Sequence, residues 1–335
     1  MKLILTIDTE EDNWGDYRPT GHTVRNIDRI PELQRICDAF VVRPTYLVSY
    51  PVVEDDRAVS ILRGILDRGG CEIGTHCHPW NTPPFEGESN AWNSMLCNLP
   101  PSLQYRKIQT LHDLILRRFG VTATSFRSGR WGYGPEVARV LHALGYKVDS
   151  SITPYYSWAD SGGPDFSDIG PSPYLFSADF PYGVANPGAE GLIEIPATVG
   201  YLQDNFERSN RILKTLTRNP IKRFSLWAVL SKLGFVNRLW LCPELCDGPE
   251  MIKLARRMMK KGFPVLNVFF HSPTLQAGLS PYTKTPADEH NFLNRLIMLL
   301  RFARDAGIES LTLSEVAKLI RADFDLSSFE STSRS

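Results

Sequence analysis

The sequence predicts an α/β chain folded as a distorted (β/α)7-type barrel with long loop insertions. Short apolar runs of strand length alternate with stretches of helical periodicity, the pattern of parallel strands joined by helical crossovers. The chain has 335 residues, and α/β barrels often exceed about 200 residues as one unit. Its acid–base and metal-ligating side chains fall where the apolar runs stop, and function sits at the C-terminal ends of parallel strands. A doubly wound open sheet obeys the same rule and is the alternative.

Residues 2–8 (KLILTID) read as the first strand. Ile27, Ile30, Leu33 and Ile36 mark a helix over 26–40, and residues 44–49 (PTYLVS) a second strand. Asp56 caps a helix through Asp67 that stops at Gly69 and Gly70, before a third strand at 71–76 (CEIGTH). A helix over 102–119 ends at Gly120, and 122–127 (TATSFR) is a strand. Pro135 opens a helix that Gly145 closes, followed by a strand at 146–150 (YKVDS). Later strands are read at 192–198 (LIEIPAT), 265–271 (VLNVFFH) and 309–313 (ESLTL). Helices are read from Pro249 to Lys261 and from Asp288 to Ala306, and Thr312 with Glu315 forms a capping box for a closing helix to Ile320.

A single domain is expected over 1–321, with insertions at about 78–101, 152–191 and 200–246. The first is polar and rich in Pro and Asn, and the second rich in Gly, Pro, Ser, Tyr and Asp. The third carries basic and aromatic residues. Residues 322–335 are polar and Ser-rich and read as a disordered tail.

The 37 basic residues balance 37 acidic ones, which argues against nucleic acid as a partner. The basic residues in 208–238 read as a solvated or lid surface within reach of a phosphate-bearing carrier. The 6 cysteines are scattered, as in a reduced chain. The first apolar stretch is about five residues, shorter than a signal-peptide core, and no stretch is long enough to span a membrane. A cytoplasmic protein is expected.

The residues at predicted strand ends are Asp8 and Glu10, His76 and His78, Arg127, Asp149 and His271. In extended backbone, positions i and i+2 face one way, so His76 and His78 can share an ion, and imidazole suits zinc and similar metals. Cys77 points to the opposite face and packs. Asp8 and Glu10 share that geometry and supply one metal ligand and one base, with Asp12 a third carboxylate nearby. Arg127 holds a carboxylate ionised and oriented. The glycines after it, in RSGRWGYG, fit neither common phosphate-loop spacing. His271 is a candidate general acid, and Asp149 a candidate partner that orients a histidine.

Taken in order, the D-T-E near the N-terminus, G-T-H-C-H-P, F-R-S-G-R, D-S-S and F-F-H-S resemble the motifs of the polysaccharide deacetylase family, the NodB-homology group of carbohydrate esterase family 4. The resemblance spans about residues 1–320. It implies a distorted barrel and a divalent metal, usually zinc, serving hydrolysis of an N-acetyl group from a sugar. It makes Asp8 the general base, Glu10, His76 and His78 the metal ligands, Arg127 the brace of the base, His271 the general acid and Asp149 a supporting residue. The family's first motif usually has two adjacent Asp; here Thr9 intervenes and the ligand shifts to Glu10. Its histidines are usually separated by three residues, whereas here one residue separates them. With a sugar as substrate, Trp80, Trp92, Trp131 and Tyr133 are candidates for a stacking wall. A cytoplasmic enzyme would act on a lipid-linked or nucleotide-linked glycan precursor. Two rivals stand beside this reading: a hydrolase of a small non-sugar amide, and a catalytically inactive carbohydrate-binding homologue.

Overall fold

The computed structural model describes residues 1–177, 182, 191–217 and 237–332. Strand β1 (Lys2–Thr9) is buried at every position after Lys2. It lies between two parallel neighbours, β10 (Val265–His271) and β2 (Thr45–Val48). Strands buried on both faces read as continuous apolar runs rather than alternating ones, which is why β1 and β10 are legible as strands in the sequence. Parallel pairing continues through β3 (Glu72–Cys77), β4 (Ser125–Ser128), β5 (Val148–Asp149) and β7 (Leu192–Glu194). The antiparallel β6 (Tyr174–Phe176) covers the edge of β7, and β11 (Glu309–Ser310) pairs with the start of β1.

The sheet order is β10-β1-β2-β3-β4-β5-β7-β6. It steps through the chain without the reversal that defines a doubly wound sheet, so the sheet is a curled, distorted (β/α)7 barrel. Pro196 lacks an amide hydrogen and cuts the expected 192–198 strand short. The chain then forms a two-stranded antiparallel sheet of β8 (Val199–Tyr201) and β9 (Arg238–Trp240). This pair bridges to β10: the Thr198 N–H donates to the Asn267 carbonyl at 3.1 Å, and the Phe269 N–H to the Leu241 carbonyl at 3.3 Å.

The crossover helices include α1 (Ile30–Ala39), α3 (Asp56–Leu66) after the short α2 (Tyr50–Glu54), α4 (Pro101–Phe119) and α5 (Pro135–Ala143). The α6 helix (Phe206–Thr217) belongs to the third insertion, and α7 (Gly248–Lys260) and α8 (Pro286–Asp305) flank β10. A tight turn over Arg25–Arg29 precedes α1, so that helix starts later than expected, with Pro31 in its first turn. The cap of α3 is Asp55 rather than Asp56: its side chain accepts the Ala58 N–H at 2.7 Å. Gly120 ends α4 at φ 73°, a left-handed conformation that favours glycine.

The closing helix α9 (Leu313–Thr332) runs through most of the segment read as a disordered tail. No Gly or Pro occurs between 313 and 332, and extending a formed helix costs far less than starting one. Leu313, Val316 and Ala317 anchor it against Ile4, Val148 and Ile193, with Phe324 packed on the same cluster. Residues 178–181 and 183–190 of the second insertion, 218–236 of the third with several of its basic residues, and 333–335 lie outside the described residues. Among the described residues no helix is long and apolar enough to cross a membrane.

Candidate active site

Strand register assembles the site. Asp8 at the end of β1 stands beside His271 at the end of β10, and His76 on β3 stands beside Arg127 on β4. Arg127 is fully buried, and a buried guanidinium is tolerated only when its charge and donors are met. Its Nη1 donates to Asp8 Oδ1 at 2.7 Å, and its Nη2 donates to Thr6 Oγ1 at 2.8 Å and Ser150 Oγ at 2.9 Å. Its Nε donates to the Ser150 carbonyl at 2.8 Å. Burial alone would raise the Asp8 pKa, but the charges of Arg127, His76 and His271 outweigh it and hold the carboxyl below its usual value. The Arg127 bond occupies Oδ1, so Oδ2 is the oxygen left to face His271.

Beside this pair, Glu10, His76 and His78 converge. Glu10 Oε2 lies 3.4 Å from His76 Nε2 and 3.1 Å from His78 Nε2. One ligand atom from each of the three residues falls within 4.8 Å of the others. The His76 Nδ1 lies 3.1 Å from the Arg127 carbonyl, which can only accept, so that nitrogen is the donor there and Nε2 is the one turned to Glu10. The His78 Nδ1 is 3.2 Å from Glu11 Oε1. Glu10 Oε1 is buried with no hydrogen-bond partner. A buried carboxylate with Oε2 beside two imidazole nitrogens and Oε1 unpartnered is a donor set that fits zinc, so Glu10, His76 and His78 fit a divalent metal. Burial opposes the charge on His78, yet Glu11 and Glu10 raise its pKa to about 9. Burial likewise opposes ionisation of Glu10, but His271, His76 and His78 lower its pKa overall. Asp12 is committed elsewhere: it accepts from Thr23 Oγ1 at 2.7 Å, the Arg25 N–H at 2.9 Å and Asn26 Nδ2 at 2.7 Å, tying down the turn before α1.

The histidine orienter differs from the one expected. The His271 Nδ1 bonds to Glu244 Oε2 at 2.8 Å, and Glu244 Oε1 accepts the His271 backbone N–H at 3.0 Å. The His271 Nε2 points at Asp8 Oδ2, 3.9 Å away. Burial opposes its protonation, but Glu244, Glu10 and Asp8 raise its pKa to about 10. Asp149 instead accepts from Ser151 Oγ at 2.6 Å and pairs with Glu194, its register partner on β7. The reason is topological: β5 lies four strands from β1, while Glu244 follows β9 and arrives directly beside β10.

The aromatic residues also stand differently. Trp80 is 4% exposed and stacks on His78 with centroids 4.0 Å apart. Trp131 is edge-on to Phe269, and the Arg127 guanidinium lies 5.2 Å from its ring centre. Tyr133 is fully buried against Phe176 and Tyr182. These three are buried and form no open stacking wall, while Trp92 is exposed. The rings that reach His271 are Trp14, stacked on it at 4.9 Å, and the partly exposed Tyr282, parallel to it at 6.0 Å.

Sequence reasoning missed Glu11, Glu194 and Glu244. Glu11 was signalled by its place in an unbroken acidic run after a buried strand. Glu244 was hidden in an insertion, and only reading RLW as a strand would have pointed to it.

No protein-family model matches the sequence, and no curated protein matches it. Solved structures do match. One assigned as a polysaccharide deacetylase from Mycobacterium smegmatis is 16% identical with a TM-score of 0.52, over 96% of this chain and 90% of that one. The fold is that of the polysaccharide deacetylases. A structure assigned as a glycoside hydrolase/deacetylase from Parabacteroides distasonis shares this fold at TM-score 0.60 and 13% identity, over 96% of this chain and 71% of that one. The Puue allantoinase shares it too, at TM-score 0.53 and 12% identity, over 97% of this chain and 91% of that one. At these identities the likeness is one of fold, and the chemistry must be argued from the residues.

Proposed function

We propose that this chain is a metal-dependent hydrolase that removes N-acetyl groups from a sugar, with residues 1–321 as its catalytic domain. The observation that carries this reading is the juxtaposition at one strand-end face of a braced carboxylate, a cationic histidine and a Glu/His/His metal-ligand set. Glu10, His76 and His78 would hold the divalent metal, for which zinc suits the donors best. A metal there would polarise the acetyl carbonyl and acidify a water.

The chain's own residues supply the proton steps. Asp8, ionised and held through Oδ1 by Arg127, takes the water's proton on Oδ2. His271, held cationic by Glu244, delivers a proton from Nε2 to the departing amine nitrogen. The 3.9 Å between these atoms brings base and acid to one reacting centre. Trp14 and Tyr282 offer the apolar surface against which a sugar ring would lie. A substrate attached to a lipid or nucleotide carrier is compatible with this site. The same acid and base would serve a small non-sugar amide, a reading to which the shared fold with an allantoinase lends weight. An inactive binding homologue would have no use for a braced base facing a charged acid.

Acetate release from a panel of N-acetylated hexosamines, free, oligomeric and nucleotide-linked, tests the reading. Cleavage of sugars supports it, and cleavage confined to small non-sugar amides selects the second reading. The pH profile supplies a further test. His271 must be protonated to act, so the alkaline limb of kcat/KM reports its loss of a proton. Glu244→Gln removes the largest charge raising the His271 pKa, so this limb should move to lower pH, toward the ordinary histidine value. An unmoved limb would remove Glu244 from this role.

A further inference from the structure

His78 is the first residue beyond β3, whose pairing with β4 ends at Cys77 and Ser128. No strand ladder fixes its ring, and with His76 only two positions away the two imidazoles crowd to 4.5 Å in a T-shaped arrangement. The ring is instead held on three sides. Trp80 covers one face at 4.0 Å. Gly129 packs so closely that a Cβ there would stand 2.1 Å from His78 Cδ2. Glu11 meets the Nδ1 edge at 3.2 Å. Glu11 is itself fully buried, and its other bonds fix its direction: Oε1 also accepts from Trp80 Nε1 at 3.0 Å, and Oε2 accepts from Ser49 Oγ at 3.3 Å. The His78 Nε2 is thereby the one ring nitrogen left to face Glu10.

We propose that Glu11 is a positioning residue: by accepting the His78 Nδ1–H and the Trp80 indole N–H together, it locks His78 with Nε2 turned to the metal position. This lets two histidines separated by a single residue serve one ion. The inference rests on the hydrolase reading above and deepens it. Consecutive carboxylates thus divide the work, Glu10 as ligand and Glu11 as holder of a ligand. Outer partners of this kind typically change metal affinity about 10- to 100-fold.

The test uses the full chain stripped of metal and titrated with Co2+ alone, read by visible absorption and by competition with a chelator. Glu11→Ala should weaken Co2+ binding by about 10- to 100-fold and change the shape of the absorption bands, since His78 would be free to turn. Glu11→Gln retains an oxygen that accepts both N–H groups and should restore the wild-type bands. A purely structural role would lower thermal stability and leave bands and affinity unchanged, and that result overturns the proposal. If Glu11→Ala does not fold, nitrogen NMR of zinc-loaded wild type decides. A proton on His78 Nδ1 in a shift range typical of a strong hydrogen bond supports the proposal, and zinc on Nδ1 overturns it. Failure of the wild type itself to bind Co2+ would overturn the metal reading and this inference with it, whereas normal wild-type binding with an unaffected Glu11→Ala would overturn this inference alone.

Discussion

Asp8→Asn is expected to cut the rate of acetate release by at least about 10²- to 10⁴-fold, the usual contribution of a general base, while metal content stays at the wild-type level. Asn keeps an oxygen in place of Oδ1, so the Arg127 Nη1 bond of 2.7 Å survives. The amide nitrogen that replaces Oδ2 cannot take a proton from water. Metal retention is expected because Asp8 stands outside the set formed by Glu10, His76 and His78. A more drastic change would confuse the result: truncating Asp8 leaves Arg127 as an uncompensated buried charge, and breaking such a pair costs about 3–5 kcal/mol. Thermal unfolding of Asp8→Asn beside wild type separates the two effects. Near-normal turnover in a folded, metal-loaded Asp8→Asn would place the base elsewhere.

His271→Ala is expected to retain the metal and lose about 10²- to 10⁴-fold in kcat for a substrate with a poor leaving amine. The loss should shrink for an activated amide whose leaving group needs no proton, because the acid contributes only where the departing nitrogen is basic. This contrast distinguishes a proton donor from a residue that merely shapes the pocket, whose removal would slow both substrates alike. Equal losses on both would contradict the assignment. Trp14 stacks on His271 at 4.9 Å, so the structure of the variant must be checked for collapse of that ring into the vacated space.

The parts of this site that lie on buried strands were legible in the sequence, because a charged or imidazole side chain at the end of an apolar run has few uses. Asp8, His76, Arg127 and His271 all ended such runs, and strand register then set Asp8 beside His271 and His76 beside Arg127. Glu244 was not legible, since nothing in the composition of an insertion says that its chain returns to β10. Asp149 was given that role because it ends a strand. Strand order, a long-range property, sent it to Glu194 instead. Tyr133 and Trp131, as aromatic residues, are candidates for a sugar-stacking wall on sequence alone. Their depth depends on packing against Phe176 and Phe269, partners that lie far along the chain. The tail was misread for a simpler reason: polar composition suggested disorder, while the absence of any helix breaker through Thr332 allowed α9 to continue.

The proposed hydrolase stands on Glu10, His76 and His78 forming a metal site that serves the Asp8–His271 pair. Elemental analysis of purified wild type beside the His76→Ala/His78→Ala double variant tests it most directly. About one divalent metal per chain is expected in the wild type, the occupancy of one three-residue N2O site that keeps a position open for water, and none in the double variant. Wild-type protein that takes up no metal after reconstitution with zinc, cobalt, nickel or manganese, or a double variant that keeps its full complement, would contradict it.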